Sequence, residues 1–141
     1  MMKHLVSLFF LTLLSLKNVV ADNIKIEFTA EDTYSMEVTK IGVGDTIEWL
    51  PKNKGHNVEF IAGPNMDALP DNSDLDVGHI VTFYSPGVYL YQCTPHGNMG
   101  MLGLIIVGNN FKNLDEIKEM KLSRVAKSVL QRLIRVAKSN E

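Results

Sequence analysis

The chain has 141 residues, of which 45% are hydrophobic and 21% charged, and its formal charge is −2 at pH 7. This size points to one domain, and the composition excludes a disordered or collagen-like chain and leaves enough apolar residues for a core. Charge is uneven: residues 22–111 hold four lysines against twelve acids, whereas residues 112–141 hold eight Lys and Arg against four acids. An acidic body without a basic, aromatic surface offers nothing to nucleic acid.

The chain opens with MMKHLVSLFFLTLLSLKNVVA. Lys3 and His4 give a short basic start, Leu5 to Leu16 an apolar run, and Val19-Val20-Ala21 small residues before a cut. This pattern predicts a secretory signal peptide over residues 1–21. The run is shorter than the ~20 apolar residues of a membrane anchor. The mature chain is expected to start at Asp22, carry a charge of −4 without Lys3 and Lys17, and work in the periplasm with no stable membrane insertion. Exported proteins usually pair their cysteines, but Cys93 is the only one. It must be a free thiol, an intermolecular bridge or a metal ligand.

From residue 22 onward, Ile24, Ile26 and Phe28 alternate with polar residues, as in a half-buried strand. Met36 and Val38 continue a similar pattern. A turn at Gly42-Val43-Gly44-Asp45 leads into a strand at residues 46–50, and residues 51–55 form a polar loop. Val58, Phe60 and Ile61 predict a short strand. Residues 62–78 are rich in Gly, Pro, Asn and Asp and read as a long connection with at most one helical turn. Strands follow at residues 80–84 and 88–92, separated by the Ser85-Pro86-Gly87 turn. Leu102 to Val107 is apolar throughout, as in a strand covered on both faces. Strands and turns at this spacing predict an antiparallel sandwich or barrel.

The tail is helical. Asn113 with Glu116 predicts a capping box and a short helix to about Met120. Leu122, Val125, Ala126, Val129, Leu130, Leu133, Ile134 and Ala137 then fall on one apolar stripe. Arg124, Lys127, Arg132, Arg135 and Lys138 lie off it. This predicts a helix packed on the sandwich with a solvated basic face, or a helix that docks on a membrane surface or a partner.

The chemistry concentrates in CTPHGNMGM, residues 93–101. Cys93, His96 and Met101 belong to one loop between neighbouring strands, which Pro95 stiffens and Gly97 and Gly100 bend back. His56, in another strand-end loop, supplies a fourth group. Two imidazoles, a thiolate and a thioether are the ligand set of a type 1 copper site. Soft sulfur suits Cu(I) and imidazole also serves Cu(II), so little need move when an electron does. Singly, Cys93 reads as a structural thiol, His96 and His56 as loop or turn residues, and Met99 and Met101 as core fillers; none of these readings explains the spacing. Zinc is the main competing metal, and thioether is a poor zinc ligand. Of the two methionines, Met101 is better placed for the axial position, with Met99 packing beside the site. His79 reads as a surface residue.

The segments NIKIEF at 23–28, VGDTIEW at 43–49, KGHNVE at 54–59 and PGVYLYQCTPHGNMGM at 86–101, together with the two C-terminal helices, resemble the pseudoazurin group of the cupredoxin family. The resemblance covers the chain from about Asn23 to the tail. It implies a mostly β fold: a Greek-key sandwich of about eight strands over residues 22–110, with two C-terminal α-helices over 111–141, as one domain at 22–141. It implies one type 1 copper, cycling between Cu(I) and Cu(II), on His56, Cys93, His96 and Met101. It implies that the Asn57 N–H donates to the Cys93 sulfur, that the Asn57 side chain ties its loop to Thr94, that Pro95 withholds a second N–H, and that His96 is the electron's exit within an apolar patch. The implied function is a monomeric electron carrier, not an enzyme, whose partners are redox proteins such as a nitrite reductase or a cytochrome. Gly97 stands where relatives often carry a bulky aromatic, which should open the site to water. Lys52 and Lys54 remain of the lysines that ring the copper face in relatives, and Gln92 stands where a lysine is common. Two other readings compete: a copper-delivery module with the same ligands, and a Cys93 nucleophile with His96 as base, for which neither an oxyanion site nor a substrate cleft is marked.

Overall fold

A computed structural model describes residues 20–139. The expected leader lies outside the described residues except for Val20 and Ala21. Seven strands are described: β1 Asn23–Glu27, β2 Val38–Ile41, β3 Thr46–Leu50, β4 Glu59–Ala62, β5 His79–Thr82, β6 Gly87–Gln92 and β7 Leu102–Val107. Two helices close the chain, α1 Leu114–Lys118 and α2 Arg124–Ser139. The long connection after β4 holds the single helical turn, a 3₁₀ turn at Met66–Ala68 capped by the Asn65 side chain.

The strands form two sheets, ordered β1-β3-β5 and β2-β7-β6-β4. Pairing is mixed rather than antiparallel throughout. β1 runs parallel to β3 and β2 parallel to β7, while β3–β5, β4–β6 and β6–β7 are antiparallel. Parallel neighbours need a crossover connection, and local periodicity carries no sign of which distant strand a segment will join.

The period of two in β6 and β7 divides the interior into two cores. Tyr89, Tyr91, Ile105 and Val107 face the other sheet, joining Ile26, Phe28, Tyr34, Ile47, Trp49, Phe60, Phe83, Cys93 and Met101. Val88, Leu90, Leu102, Leu104 and Ile106 face the helices, joining Leu114, Ile117, Ala126, Leu130, Leu133, Ile134 and Ala137. Both faces of β7 are therefore covered, as its unbroken apolar run requires.

The helices depart from expectation at their starts. Asn113 does not cap α1 with its side chain. Its Oδ1 accepts from Val88 N at 2.8 Å and its Nδ2 donates to Val88 O at 2.8 Å, which pins the helical tail to β6. On α2 the buried stripe is Ala126, Leu130, Leu133, Ile134 and Ala137. Leu122 precedes the helix, and Val125 is exposed. Ser123 caps α2 by accepting from Ala126 N at 3.1 Å and donates its hydroxyl to Asn98 O at 2.7 Å. The helix start is thus tied to the cysteine–methionine loop. Among the described residues, no helix is long and apolar enough to cross a membrane.

Candidate metal centre

Cys93 follows β6 directly and Met101 precedes β7, so the 93–101 loop is the turn of one antiparallel pair. Its backbone is tightly bonded to itself. Gly97 N donates to Cys93 O at 2.7 Å, Met101 N to His96 O at 3.1 Å, and Cys93 N to Met101 O at 3.1 Å. Gly97–Met99 forms a 3₁₀ turn ended by Gly100 at φ +100°, a conformation that glycine adopts without penalty. A Cβ on Gly100 would also stand 2.7 Å from Val129 of α2, so the second helix covers this loop closely.

His56 comes from the loop before β4, reached through Gly55 at φ +91°. The Asp76 carboxylate accepts from Gly55 N at 2.6 Å, and Asp76 N donates to His56 O at 2.9 Å. One residue on, the Asn57 side chain bonds Thr94 twice: Thr94 N donates to Oδ1 at 2.7 Å, and Nδ2 donates to Thr94 Oγ1 at 2.9 Å. The Tyr34 hydroxyl donates to Asn57 O at 2.7 Å. The loops that carry His56 and Cys93 are thereby held in register, and the expected Asn57–Thr94 tie is present.

These supports bring one nitrogen of each histidine and the sulfur within 4.8 Å of one another. Cys93 Sγ lies 3.7 Å from His56 Nδ1 and 3.4 Å from His96 Nδ1. A metal in trigonal coordination, about 2.05 Å from nitrogen and 2.3 Å from sulfur, needs N···S separations of about 3.8 Å. The three donors therefore fit a metal with little adjustment. Met101 is buried in the same cluster as Cys93. His56, Cys93 and Met101 are buried, while His96 is 21% exposed and is the group that meets solvent. The donor set mixes thiolate, imidazole and thioether, which suits copper in both oxidation states. Burial pushes the Cys93 thiol above its ordinary range; the backbone N–H groups of Asn57 and His96 pull it back, and the Asp32 and Glu59 carboxylates push it up further. His96 N donates to the Cys93 carbonyl at 3.2 Å, and Pro95 offers no N–H of its own.

Other expectations change. Met99 does not pack beside the site but is 63% exposed. Gly97 does not open the site: it is buried, and a Cβ there would lie 2.2 Å from Gln92 Oε1. The Gln92 side chain fills that space, held by donation from Nε2 to Glu59 Oε1 at 2.6 Å. The other Glu59 oxygen accepts from Thr94 Oγ1 at 2.7 Å. Lys52 and Lys54 are exposed. His79 lies in β5 with its Nε2 2.7 Å from Asp71 O, away from the metal-binding cluster.

Two acids near these donors, Asp76 and Asp32, have no signal in the sequence. Asp76 braces the His56 turn, and Asp32, in the β1–β2 connection, lies against both imidazoles. Neither falls in a segment with metal-ligand spacing. The Glu59–Gln92 pair was in principle visible, since both residues sit in strands that flank the ligand loops.

The model of the copper-binding proteins of the plastocyanin/azurin family matches residues 22–108. A relative from Rhizobium leguminosarum bv. viciae is 43% identical over 92 residues, covering 64% of this chain and 60% of its own length. A pseudoazurin of Methylorubrum extorquens is 37% identical over 101 residues, covering 68% of this chain and 66% of its own length. The matched stretch thus spans less than two thirds of either relative. Native pseudoazurin from Hyphomicrobium denitrificans superposes with a TM-score of 0.73 at 27% identity, covering 81% of this chain and 97% of that one.

Proposed function

Since the chain belongs to the plastocyanin/azurin family of copper-binding proteins, we propose that it carries single electrons between periplasmic redox proteins and catalyses no reaction. In this reading residues 1–21 are a leader and residues 22–141 one domain. His56 and His96 would hold copper through Nδ1 and Cys93 through Sγ, with the Met101 thioether as the fourth, weaker donor. Bound copper supplies a one-electron couple between Cu(I) and Cu(II).

The remaining work belongs to the chain. The hydrogen-bonded 93–101 loop and the Asn57–Thr94 tie hold the donors in one arrangement for both charge states, so little reorganisation accompanies transfer. N–H donation to the Cys93 sulfur tunes its basicity. Burial of three ligands excludes water, and the partly exposed His96 is the edge through which the electron leaves. The partner is a redox protein such as a nitrite reductase or a cytochrome, met by a monomer, with Lys52 and Lys54 available for local steering.

The observation that carries this reading is the approach of His56 Nδ1 and His96 Nδ1 to Cys93 Sγ, at 3.7 and 3.4 Å. The test is the visible and EPR spectrum of the Cu(II)-loaded protein. A strong thiolate-to-copper band with small hyperfine splitting, bleached by one electron, is expected. A pale solution with ordinary copper splitting would mean that the ligand set does not assemble, and would favour copper delivery or zinc binding.

A further inference from the structure

The β1–β2 connection is closed by its own threonines. Thr29 N donates to Thr33 O at 2.9 Å, Thr33 N to Thr29 Oγ1 at 3.2 Å, and the two hydroxyls are 2.7 Å apart. This knot holds Asp32 at φ +55°, a left-handed conformation that few residues other than Gly, Asn and Asp adopt readily. The turn carries the Asp32 carboxylate over the metal-binding pair. One oxygen, Oδ1, lies 3.5 Å from His56 Nε2 and 3.9 Å from His96 Nε2.

We propose that Asp32 is a positioning residue for the copper couple: a single carboxylate oxygen faces the outer nitrogens of both ligand imidazoles, orients the rings and stabilises the oxidised centre. This rests on the ligand assignment above. When Nδ1 of each histidine is directed at the metal, Nε2 carries the proton, so two N–H groups face one anion. A carboxylate beside a metal-bound imidazole fixes its ring and raises its donor strength. Here one carboxylate acts on both rings. Both separations, 3.5 and 3.9 Å, are longer than a direct hydrogen bond, so on each ring the effect is mainly through-space attraction, stronger at His56. Negative charge at this point favours Cu(II), the more positive state, over Cu(I). Asp32 is 51% exposed, so solvent weakens the interaction without abolishing it.

The decisive variant is Asp32→Asn, because asparagine tolerates the left-handed backbone and removes only the charge. Two measurements on the full protein are needed. In the first, the copper-loaded variant should shift the ratio of Cu(I) to Cu(II) affinity about tenfold toward Cu(I), a rise in potential of about 59 mV for one electron. In the second, zinc replaces copper, and NMR follows solvent exchange of the His56 and His96 Nε2–H protons, which should quicken several-fold in the variant. Asp32→Gly, which also keeps the turn, should reproduce both changes. Unchanged potential and unchanged exchange in Asp32→Asn would overturn the proposal. So would changes seen only in Asp32→Gly, which would assign the effect to packing or water access rather than charge. Absence of a blue band in the unmutated protein would instead sink the copper reading, and the zinc-loaded measurement would still decide the role of Asp32.

Discussion

The two cores share β6 and β7 but are built from different chemistry. The core between the sheets is rich in aromatics, with Tyr34, Tyr91, Trp49 and Phe60 ring to ring at centroid distances of 4.7–5.9 Å. It also reaches the metal centre through Cys93 and Met101. The core beneath the helices is almost wholly aliphatic. Buried polar atoms without a hydrogen-bond partner among the described residues include Trp49 Nε1 and Tyr91 Oη, both in the aromatic core. The polar group at the aliphatic core, Asn113, satisfies its amide against Val88. Leaving a buried polar group unpaired costs free energy. The aromatic side therefore carries rigid rings together with Cys93 and Met101, while the aliphatic side adds apolar area that Asn113 pins to β6.

This division can be broken from either side. The largest effect belongs to Cys93→Ser, which should abolish the blue band entirely and leave a folded β protein by circular dichroism; retention of the band would refute the ligand assignment. Leu133→Ala, in the fully buried centre of the aliphatic core, should cost about 2–5 kcal/mol in denaturant unfolding. It should leave the visible spectrum unchanged, and a shifted spectrum would show that the two cores are not separable. Tyr34→Phe removes the hydrogen bond to Asn57 O and should cost about 0.5–1.5 kcal/mol at neutral pH.

The same variant tests a pH dependence. Burial raises the Tyr34 and Tyr91 phenols above their ordinary value of 10. The unfolded chain releases these protons first, so the stability that neutral phenols contribute is complete below about pH 10 and is lost as pH rises above it. In Tyr34→Phe the alkaline loss should be shallower; an identical slope would mean that Tyr34 does not titrate with unfolding. The smallest effect is expected for Arg132→Ala, which removes the Arg132–Glu37 ion pair at 2.9 Å. Arg132 is largely solvated, so about 0.2–1 kcal/mol is expected, reduced further by salt.

The candidate donors and the elements that bear them were legible because the evidence was local. The 93–101 loop carries three donors in nine residues, and the unbroken apolar run of β7 announced cover on both faces. The failures were long-range. Asn113 had the residue type and spacing of a cap, but its amide found a better partner 25 residues earlier in the chain. The parallel pairing of β2 with β7 depends on a crossover that periodicity cannot encode. Gly97 promised an open site only while the position of the Gln92 side chain was unknown. Asp32 was silent for the same reason, since its effect depends on a turn that brings it back over residues 24 and 64 positions away.

The space shared by Gln92 and Gly97 also limits how this sequence can change over time. A larger residue at 97 has no room while Gln92 keeps its present place, and a shorter residue at 92 leaves a gap and one Glu59 oxygen without its donor. The positions behave as a single inherited unit. An aromatic at 97 requires the Gln92 amide to leave its present place, and with it the bond to Glu59.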